Sequence, residues 1–142
     1  TASIMNKFFK ASICSTLLIS SFCYADIAVV VNHENNSVLS DSDISRLFLG
    51  KLKKFTSGGK AVAINLKLGS DTRNEFETKV LGKSASQIKA YWSKRVFSGK
   101  GKPPPELVSD KDVLSMVASD NNMIAYVDAA SVDDSVKVVK VF

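Results

Sequence analysis

The sequence predicts a single layered α/β domain in which a mixed sheet is flanked by helices. Its 142 residues are 45% hydrophobic and 23% charged, a length and a balance that suit one domain with its own core. Short apolar runs rich in β-branched residues alternate with segments whose apolar residues recur at helical spacing. Seven glycines, three prolines and two cysteines exclude low-complexity arrays and disulfide-dense scaffolds. The alternation gives the element order β-α-β-α-α-α-β-β.

Residues 1–25 are predicted to be a signal peptide with a short N-terminal extension, and residues 26–142 are predicted to be the domain itself. Met5 to Lys10 is a short basic segment, and Ala11 to Phe22 then runs without a charge. A helix needs about 20 apolar residues to span a bilayer, so this run has the length of a signal-peptide core instead. Cleavage is predicted after Ala25. The alternative is a buried N-terminal helix.

This leader predicts export, with the periplasm as the destination. Both cysteines, Cys14 and Cys23, lie in the leader, so the exported domain relies on its core and not on disulfides. Lys7 and Lys10 also lie there, which lowers the formal net charge from +5 for the whole chain to +3 for the domain. That mild excess is compatible with anions but too small to indicate nucleic-acid binding. No stable membrane span is expected after cleavage.

The first strand and the first helix are predicted ahead of a basic loop. Residues 26–31 are apolar after Asp26 and rich in β-branched residues, which is typical of a buried strand. After a polar loop, Ser40 and Asp43 resemble a capping box and precede apolar residues at helical spacing. Gly50 then ends the helix. The basic loop at residues 51–60 is interpreted as a solvated turn.

A second strand and a second helix are predicted next. Residues 61–66 are apolar except for Asn65 and give the strand, and residues 72–81 give the helix. Arg73 and Glu77 are spaced i,i+4 on this helix, so their opposite charges stabilise it.

The third helix begins at a second capping box, formed by Ser84 and Gln87. Its inward face is predicted to consist of Ile88, Tyr91, Trp92 and Val96. Trp92 is interpreted as core packing because it lies at core spacing. The basic, proline-containing segment at residues 99–105 then either lines a cleft or acts as a stiff connector.

The last helix and two last strands complete the domain. Ser109 and Asp112 cap the helix, and residues 123–127 and 136–142 are the strands. Helices between the early strands favour a layered domain whose sheet is mostly parallel or mixed.

The usual catalytic groups are missing from the predicted domain. His33 is the single histidine and no cysteine remains after cleavage, so a serine triad, a multi-histidine metal site and thiolate chemistry are excluded. Two carboxylate pairs occur, Asp41 with Asp43 and Asp133 with Asp134. Each lies where a helix cap or a turn would use it. We therefore expect a non-enzyme with no catalytic residue, no metal and no cofactor.

The strongest candidate binding site is Gly69–Arg73, where a strand, a glycine turn and a helix start follow one another. Backbone N–H groups at a helix start carry the positive end of the helix dipole and favour an anion. The Ser70 and Thr72 hydroxyls can donate hydrogen bonds, and Arg73 adds charge and a forked set of donors. The alternative is that Ser70 only caps the helix, with Asp71 in its first turn. Spacing alone leaves both interpretations open.

Five motifs follow one another in an order that is found in one protein family. They are Val31-Asn32, the RLFLGK motif of Arg46–Lys51, the SDTRNEF motif of Ser70–Phe76, the basic, proline-ending motif of Tyr91–Pro104, and the MIAYV motif of Met123–Val127. This set resembles the phosphate-binding substrate proteins of bacterial ABC transporters, which have the periplasmic-binding-protein-like domain. The resemblance covers nearly all of the predicted domain and matches one of the two lobes of full-length members.

The resemblance implies a non-enzymatic periplasmic solute-binding protein, with phosphate or another oxyanion bound weakly or in altered form at Ser70, Asp71, Thr72 and Arg73. An ABC permease or another envelope protein is the implied partner, and a homodimer could supply a second wall. The family has Ser-Gly-Thr at the helix start, preceded four residues earlier by an arginine. Here Asp71 replaces the glycine and Leu66 replaces the arginine. A carboxylate at a helix start competes with an anion for the same N–H groups.

These two departures and the single lobe support a second hypothesis. The chain is then a cell-envelope interaction or assembly protein that kept the fold and lost the ligand. The two hypotheses predict different responses to an added oxyanion. A solute-binding protein is stabilised against unfolding by the ligand that it binds, whereas an assembly protein is not. An assembly protein would instead expose a contiguous apolar patch.

Overall fold

The structure, a computed structural model, describes residues 26–142. The predicted signal peptide at residues 1–25, with its two cysteines, lies outside the described residues. The described part contains six strands, four α-helices and a short 3-10 turn at Ala129–Ser131. The strands and helices are β1 (Ile27–Val31), α1 (Asp41–Phe48), β2 (Val62–Ala63), β3 (Asn65–Leu66), α2 (Asp71–Lys79), α3 (Ala85–Phe97), β4 (Glu106–Leu107), α4 (Asp110–Ser119), β5 (Met123–Asp128) and β6 (Lys137–Val141).

The main sheet has four strands in the order β2-β5-β1-β6. β1 lies between β5 and β6 and is antiparallel to both, whereas β2 runs parallel to β5. All five residues of β1 are buried, which explains why this strand is an unbroken apolar run and not an alternating one. The sheet is therefore mixed and has helices packed against it, which confirms the predicted fold class.

Each helix begins at a serine, as the sequence patterns predict. Ser40 with Asp43 at α1, and Ser84 with Gln87 at α3, form complete capping boxes. At α4 the N–H of Asp112 donates to Ser109 Oγ over 3.2 Å. These serines satisfy N–H groups that have no partner within their own helix.

The predicted second strand is divided between two sheets. β2 pairs with β5 in the main sheet, and the N–H of Ile64 still donates to Ile124 O over 2.9 Å. One residue later the N–H of Asn65 donates to Pro105 O instead, so β3 pairs with β4 in a separate two-stranded sheet. β4 was not predicted, because it has two residues and follows three prolines that cannot donate to a ladder.

Three aromatic side chains join α1, α2 and β5 in the core. The rings of Phe76 and Tyr126 are stacked with centroids 3.8 Å apart, and Phe48 meets both rings edge-on. Phe76 and Tyr126 are fully buried. This packing fixes α2 against the sheet directly behind the Gly69–Arg73 turn.

α3 packs through a smaller cluster of its own. Leu49, Ile88 and Trp92 are buried together, and the Tyr91 hydroxyl donates to Leu49 O over 2.6 Å. Trp92 is thus core packing, as its spacing predicts. Val96, which was predicted to face inward, is instead 52% exposed. Within residues 26–142, none of the helices is long and apolar enough to cross a membrane.

Candidate functional site

The turn before α2 places Ser70 as the helix N-cap. Gly69 adopts a φ of 88°, a left-handed conformation that a side chain would strain, and the chain then enters the helix. Ser70 Oγ accepts a hydrogen bond from the N–H of Arg73 over 3.1 Å. The first-turn N–H groups of Asp71 and Thr72 have no intrahelical acceptor, as in any α-helix. The structure therefore brings a cap, a helix start and a hydroxyl together in one turn.

Asp71 and Thr72 differ in their exposure at this helix start. Asp71 is exposed in the first turn, and Thr72 is half-buried. An aspartate in the first turn is favourable for the helix because it complements the positive end of the dipole. The same carboxylate lowers the attraction of the turn for a second anion.

Arg73 is buried, and its guanidinium is already paired. Its Nη1 donates to Glu106 Oε1 over 2.6 Å and to Leu66 O over 3.1 Å, and its Nε lies 3.5 Å from Glu77 Oε2. Only 4% of Arg73 is exposed. Arg73 thus links α2, β3 and β4. Its single positive charge is at least matched by the two carboxylates, so the cluster adds no net positive charge to the turn.

Glu77 is the most deeply buried carboxylate of this cluster, with 2% of the residue exposed. Its Oε1 has no hydrogen-bond partner among the described residues. Burial raises the pKa of the Glu77 carboxyl, and the Arg73 charge partly opposes that shift. The sequence identified the Arg73–Glu77 spacing as helix support but gave no sign of this burial.

Tyr126 fixes the strand that leads into the turn. Its hydroxyl donates to Asn65 Oδ1 over 2.5 Å and accepts the N–H of Leu66 over 3.2 Å. Burial raises the pKa of Tyr126 well above its ordinary value, so the hydroxyl remains protonated. Sequence reasoning assigned no role to Asn65, Glu106 or Tyr126, because their partners lie far along the chain.

A groove of about 530 Å³ lies beside the turn, between α3, the proline segment and the two-stranded sheet. Its apolar lining includes Leu68, Ile88, Trp92, Val96 and Pro103. The Arg73–Glu106 ion pair forms part of its wall. The proline segment therefore borders a cleft, one of the two roles that the sequence allowed for it.

His33, Asp43 and Asp133 already have hydrogen-bond partners within the described residues. His33 Nε2 lies 2.5 Å from the backbone oxygen of Asp134. Hydrogen bonds from Ser135 lower the pKa of Asp133, and bonds from Ser40 lower that of Asp43. These carboxylates belong to a turn and a helix cap. Residues 26–142 bring together no group of three metal-ligating side chains that could hold an ion.

Three solved structures share the fold over most of this chain. They are an ABC-type phosphate transport receptor from Vibrio cholerae (TM-score 0.64, 19% identity), a protein from Clostridium perfringens described as a phosphate ABC transporter substrate-binding protein with bound phosphate (0.61, 23%), and PstS from Borrelia burgdorferi (0.58, 11%). The matches cover 82%, 82% and 81% of this chain and 46%, 45% and 47% of theirs. Comparison with family models and with curated proteins finds no match.

The chain therefore shares the fold of the corresponding part of these three structures. The structures that it matches are described as phosphate ABC transporter binding proteins or receptors, the family that the motif order predicts. The chain spans less than half the length of these proteins. The predicted resemblance is thus confirmed for the fold, over the part of each protein that corresponds to this chain.

Proposed function

We propose that the protein is a non-enzymatic periplasmic solute-binding protein that holds phosphate or another oxyanion weakly at the start of α2. The observation that carries the proposal is the Ser70–Thr72 turn, a helix start in a fold shared with phosphate-binding proteins. The N–H groups of Asp71 and Thr72 and the hydroxyls of Ser70 and Thr72 would donate to the anion. An ABC permease is the transport partner that this function implies.

Two features make the proposed binding weak. The Asp71 carboxylate is exposed at the same helix start, and the Arg73 charge is balanced by Glu77 and Glu106. An anion here would meet N–H dipoles with little net positive charge behind them. We therefore assign Arg73 mainly to positioning β3 and α2, with its charge available to the anion only when Glu106 moves away.

Thermal unfolding and calorimetry with phosphate, sulfate and a chloride control test this function. We expect phosphate to raise the melting temperature at millimolar concentration, and Thr72→Ala and Ser70→Ala to abolish the rise. Ser84→Ala is the matched control, because it removes the N-cap of α3 at a similar cost of about 1 kcal/mol. It should retain the phosphate response. A chain that gives no heat and no shift with any oxyanion contradicts the proposal.

A second function is favoured by a specific surface. The apolar side chains of Leu68, Val96 and Phe97 are exposed to 56%, 52% and 95% beside the groove. Exposed apolar groups that cluster at a groove mark interaction sites more often than isolated ones do. The alternative is therefore an envelope interaction or assembly protein that kept the fold and lost the ligand. Indifference to every oxyanion, together with saturable binding to a protein segment, would select this function.

A further inference from the structure

The groove beside α3 combines an apolar floor with exposed apolar edges. Ile88 and Trp92 are 3% and 7% exposed and form part of the lining, while Phe97 projects almost completely into solvent. A volume of about 530 Å³ lies within the range of pockets that bind small molecules or inserted side chains. The groove is thus concave and apolar, with room for large side chains.

The segment from the end of α2 to the proline segment supplies most of the groove lining and carries only one sign of charge. From Lys79 to Pro105 the sequence has seven cations and no carboxylate. Arg95 is committed to the fold, because it donates to Gly50 O over 3.3 Å and lies 5.6 Å from the centroid of the Tyr91 ring. Four other cations of this segment are exposed and form no ion pair within residues 26–142. They are Lys89, Lys94, Lys100 and Lys102.

The one carboxylate in the lining of the groove is paired. Glu106 lies 2.6 Å from Arg73, which also pairs with Glu77, so this cluster opposes the four exposed lysines with at most one net negative charge. An occupant of this groove would therefore meet an apolar floor inside a field of unpaired positive charge. Those two properties together select an occupant with large apolar side chains and several carboxylates.

We propose that this groove, bordered by Leu68, Trp92, Phe97 and Pro103, docks an acidic segment of another protein. One or two large apolar side chains of that segment fill the groove, and its carboxylates pair with Lys89, Lys100 and Lys102. This inference rests on the second of the two functions above and names its surface and the chemistry of its partner.

A protein segment fits this surface better than a lipid bilayer does. Trp92 and Ile88 lie at the floor of a concave groove, which a side chain can enter and a flat bilayer surface cannot follow. A charged, exposed edge around an apolar centre is also the usual arrangement of a protein interface. A bilayer would contact Phe97 and the lysines but leave Trp92 untouched.

Trp92 makes the test direct, because it is the single tryptophan of the chain and it lines the groove. Random peptides displayed on phage are selected on the purified protein, and the recovered peptides are synthesised and titrated against Trp92 fluorescence. We expect enrichment of sequences that combine Asp or Glu with Phe, Leu or Trp. Binding should shift the Trp92 emission and weaken as salt is added.

Two pairs of variants assign the binding to this groove. Phe97→Ser and the double variant Lys100→Glu with Lys102→Glu should each weaken the selected peptides by about tenfold or more. Their matched controls are Val38→Ser, an apolar residue 86% exposed outside the groove, and Lys111→Glu on α4. Both controls should bind the peptides like the unmodified chain. The circular dichroism of each variant establishes that it is folded.

Several outcomes would overturn the inference. If basic or uncharged peptides bind as well as acidic ones, the lysines do not contribute to recognition. If the peptides bind the Phe97→Ser variant as well as the unmodified chain, the interaction lies on another surface and the second function still stands. If the selection enriches no peptide, the second function is contradicted as well. Binding to phosphatidylglycerol vesicles in the absence of any peptide binding would assign the surface to a membrane.

Discussion

At the residue scale, the balance of charge around Arg73 controls what the helix start can bind. Its guanidinium is shared between the buried carboxylate of Glu77 and the half-exposed carboxylate of Glu106. Glu77 is fixed within the core, but Glu106 can be hydrated or displaced. The availability of Arg73 to an external anion therefore depends mainly on Glu106.

The substitution Glu106→Gln is expected to strengthen oxyanion binding. It removes one negative charge from Arg73 while keeping a side chain that can accept the Nη1 hydrogen bond. A half-exposed ion pair is worth at most about 1 kcal/mol, so phosphate affinity should rise up to roughly fivefold. Calorimetric titration measures the change. Glu75→Gln is the control, since Glu75 pairs with Lys79 on the same helix and should leave affinity unchanged.

Glu77 predicts a pH dependence of stability. Its folded-state pKa lies above its ordinary value of 4.5, so the folded state holds the proton more tightly than the unfolded state does. The contribution is fully present below pH 4.5 and is lost as pH rises through the folded pKa. Relative to Glu77→Gln, the unmodified chain should therefore lose free energy of unfolding across that window.

Urea unfolding at a series of pH values measures this difference. The Glu75→Gln variant should show the same pH profile as the unmodified chain, because its carboxylate lies outside the Arg73 cluster. Parallel profiles for Glu77→Gln and the unmodified chain would mean that the Arg73 charge fully offsets the burial of Glu77.

At the scale of the elements, the hydroxyl of Tyr126 determines where β3 lies. It donates to Asn65 Oδ1 and accepts from the N–H of Leu66, both within the core. Tyr126→Phe leaves these two buried groups without a partner and should cost about 2 kcal/mol, because an unsatisfied buried group loses its hydration as well. Denaturant unfolding gives the value.

Tyr91→Phe provides the comparison for that prediction. The Tyr91 hydroxyl also donates one hydrogen bond, to Leu49 O, but the side chain is only half-buried. The bond is only partly buried and the variant releases one polar group instead of two, so its cost should be clearly smaller. Equal losses for the two variants would show that burial of the Asn65–Tyr126 pair adds nothing.

Local sequence patterns predicted the helices of this fold. They missed the division of residues 61–66 between two sheets, because that division depends on long-range contacts. The capping boxes at Ser40 and Ser84 depend on residues three apart, so the sequence reveals them directly. The change of partner between Ile64 and Asn65 depends on Pro105, which is forty residues later. Periodicity within residues 61–66 contains no information about that contact.

In the candidate site, too, features that depend on neighbouring residues were predicted, and contacts between distant residues were not. The helix start at Ser70 was predicted from its own turn, together with the alternative that Ser70 is a cap. The capping bond is present, and oxyanion binding stays a prediction. The pairing of Arg73 with Glu106 joins residues on separate elements, so the sequence left the arginine free to bind a ligand.

At the scale of the whole molecule, the described chain supplies a single wall for the proposed oxyanion. It spans less than half the length of the phosphate-binding proteins that it matches. In the described chain Asp71 is exposed at the start of α2, so an anion bound there remains hydrated on its outer side, where a high dielectric weakens each contact. Binding of this kind is weak and decreases as ionic strength rises.

We therefore expect phosphate affinity to be in the millimolar range, to fall with added sodium chloride and to be independent of protein concentration. Each isolated chain offers the same open turn, so dilution changes nothing about the site. Calorimetry across a wide range of protein concentrations, alongside sedimentation with and without phosphate, measures both dependences. An affinity that increases with protein concentration would show that a second copy closes over the anion, because association and ligand binding are then linked. In that case the exposed Asp71 would lie in the interface between copies.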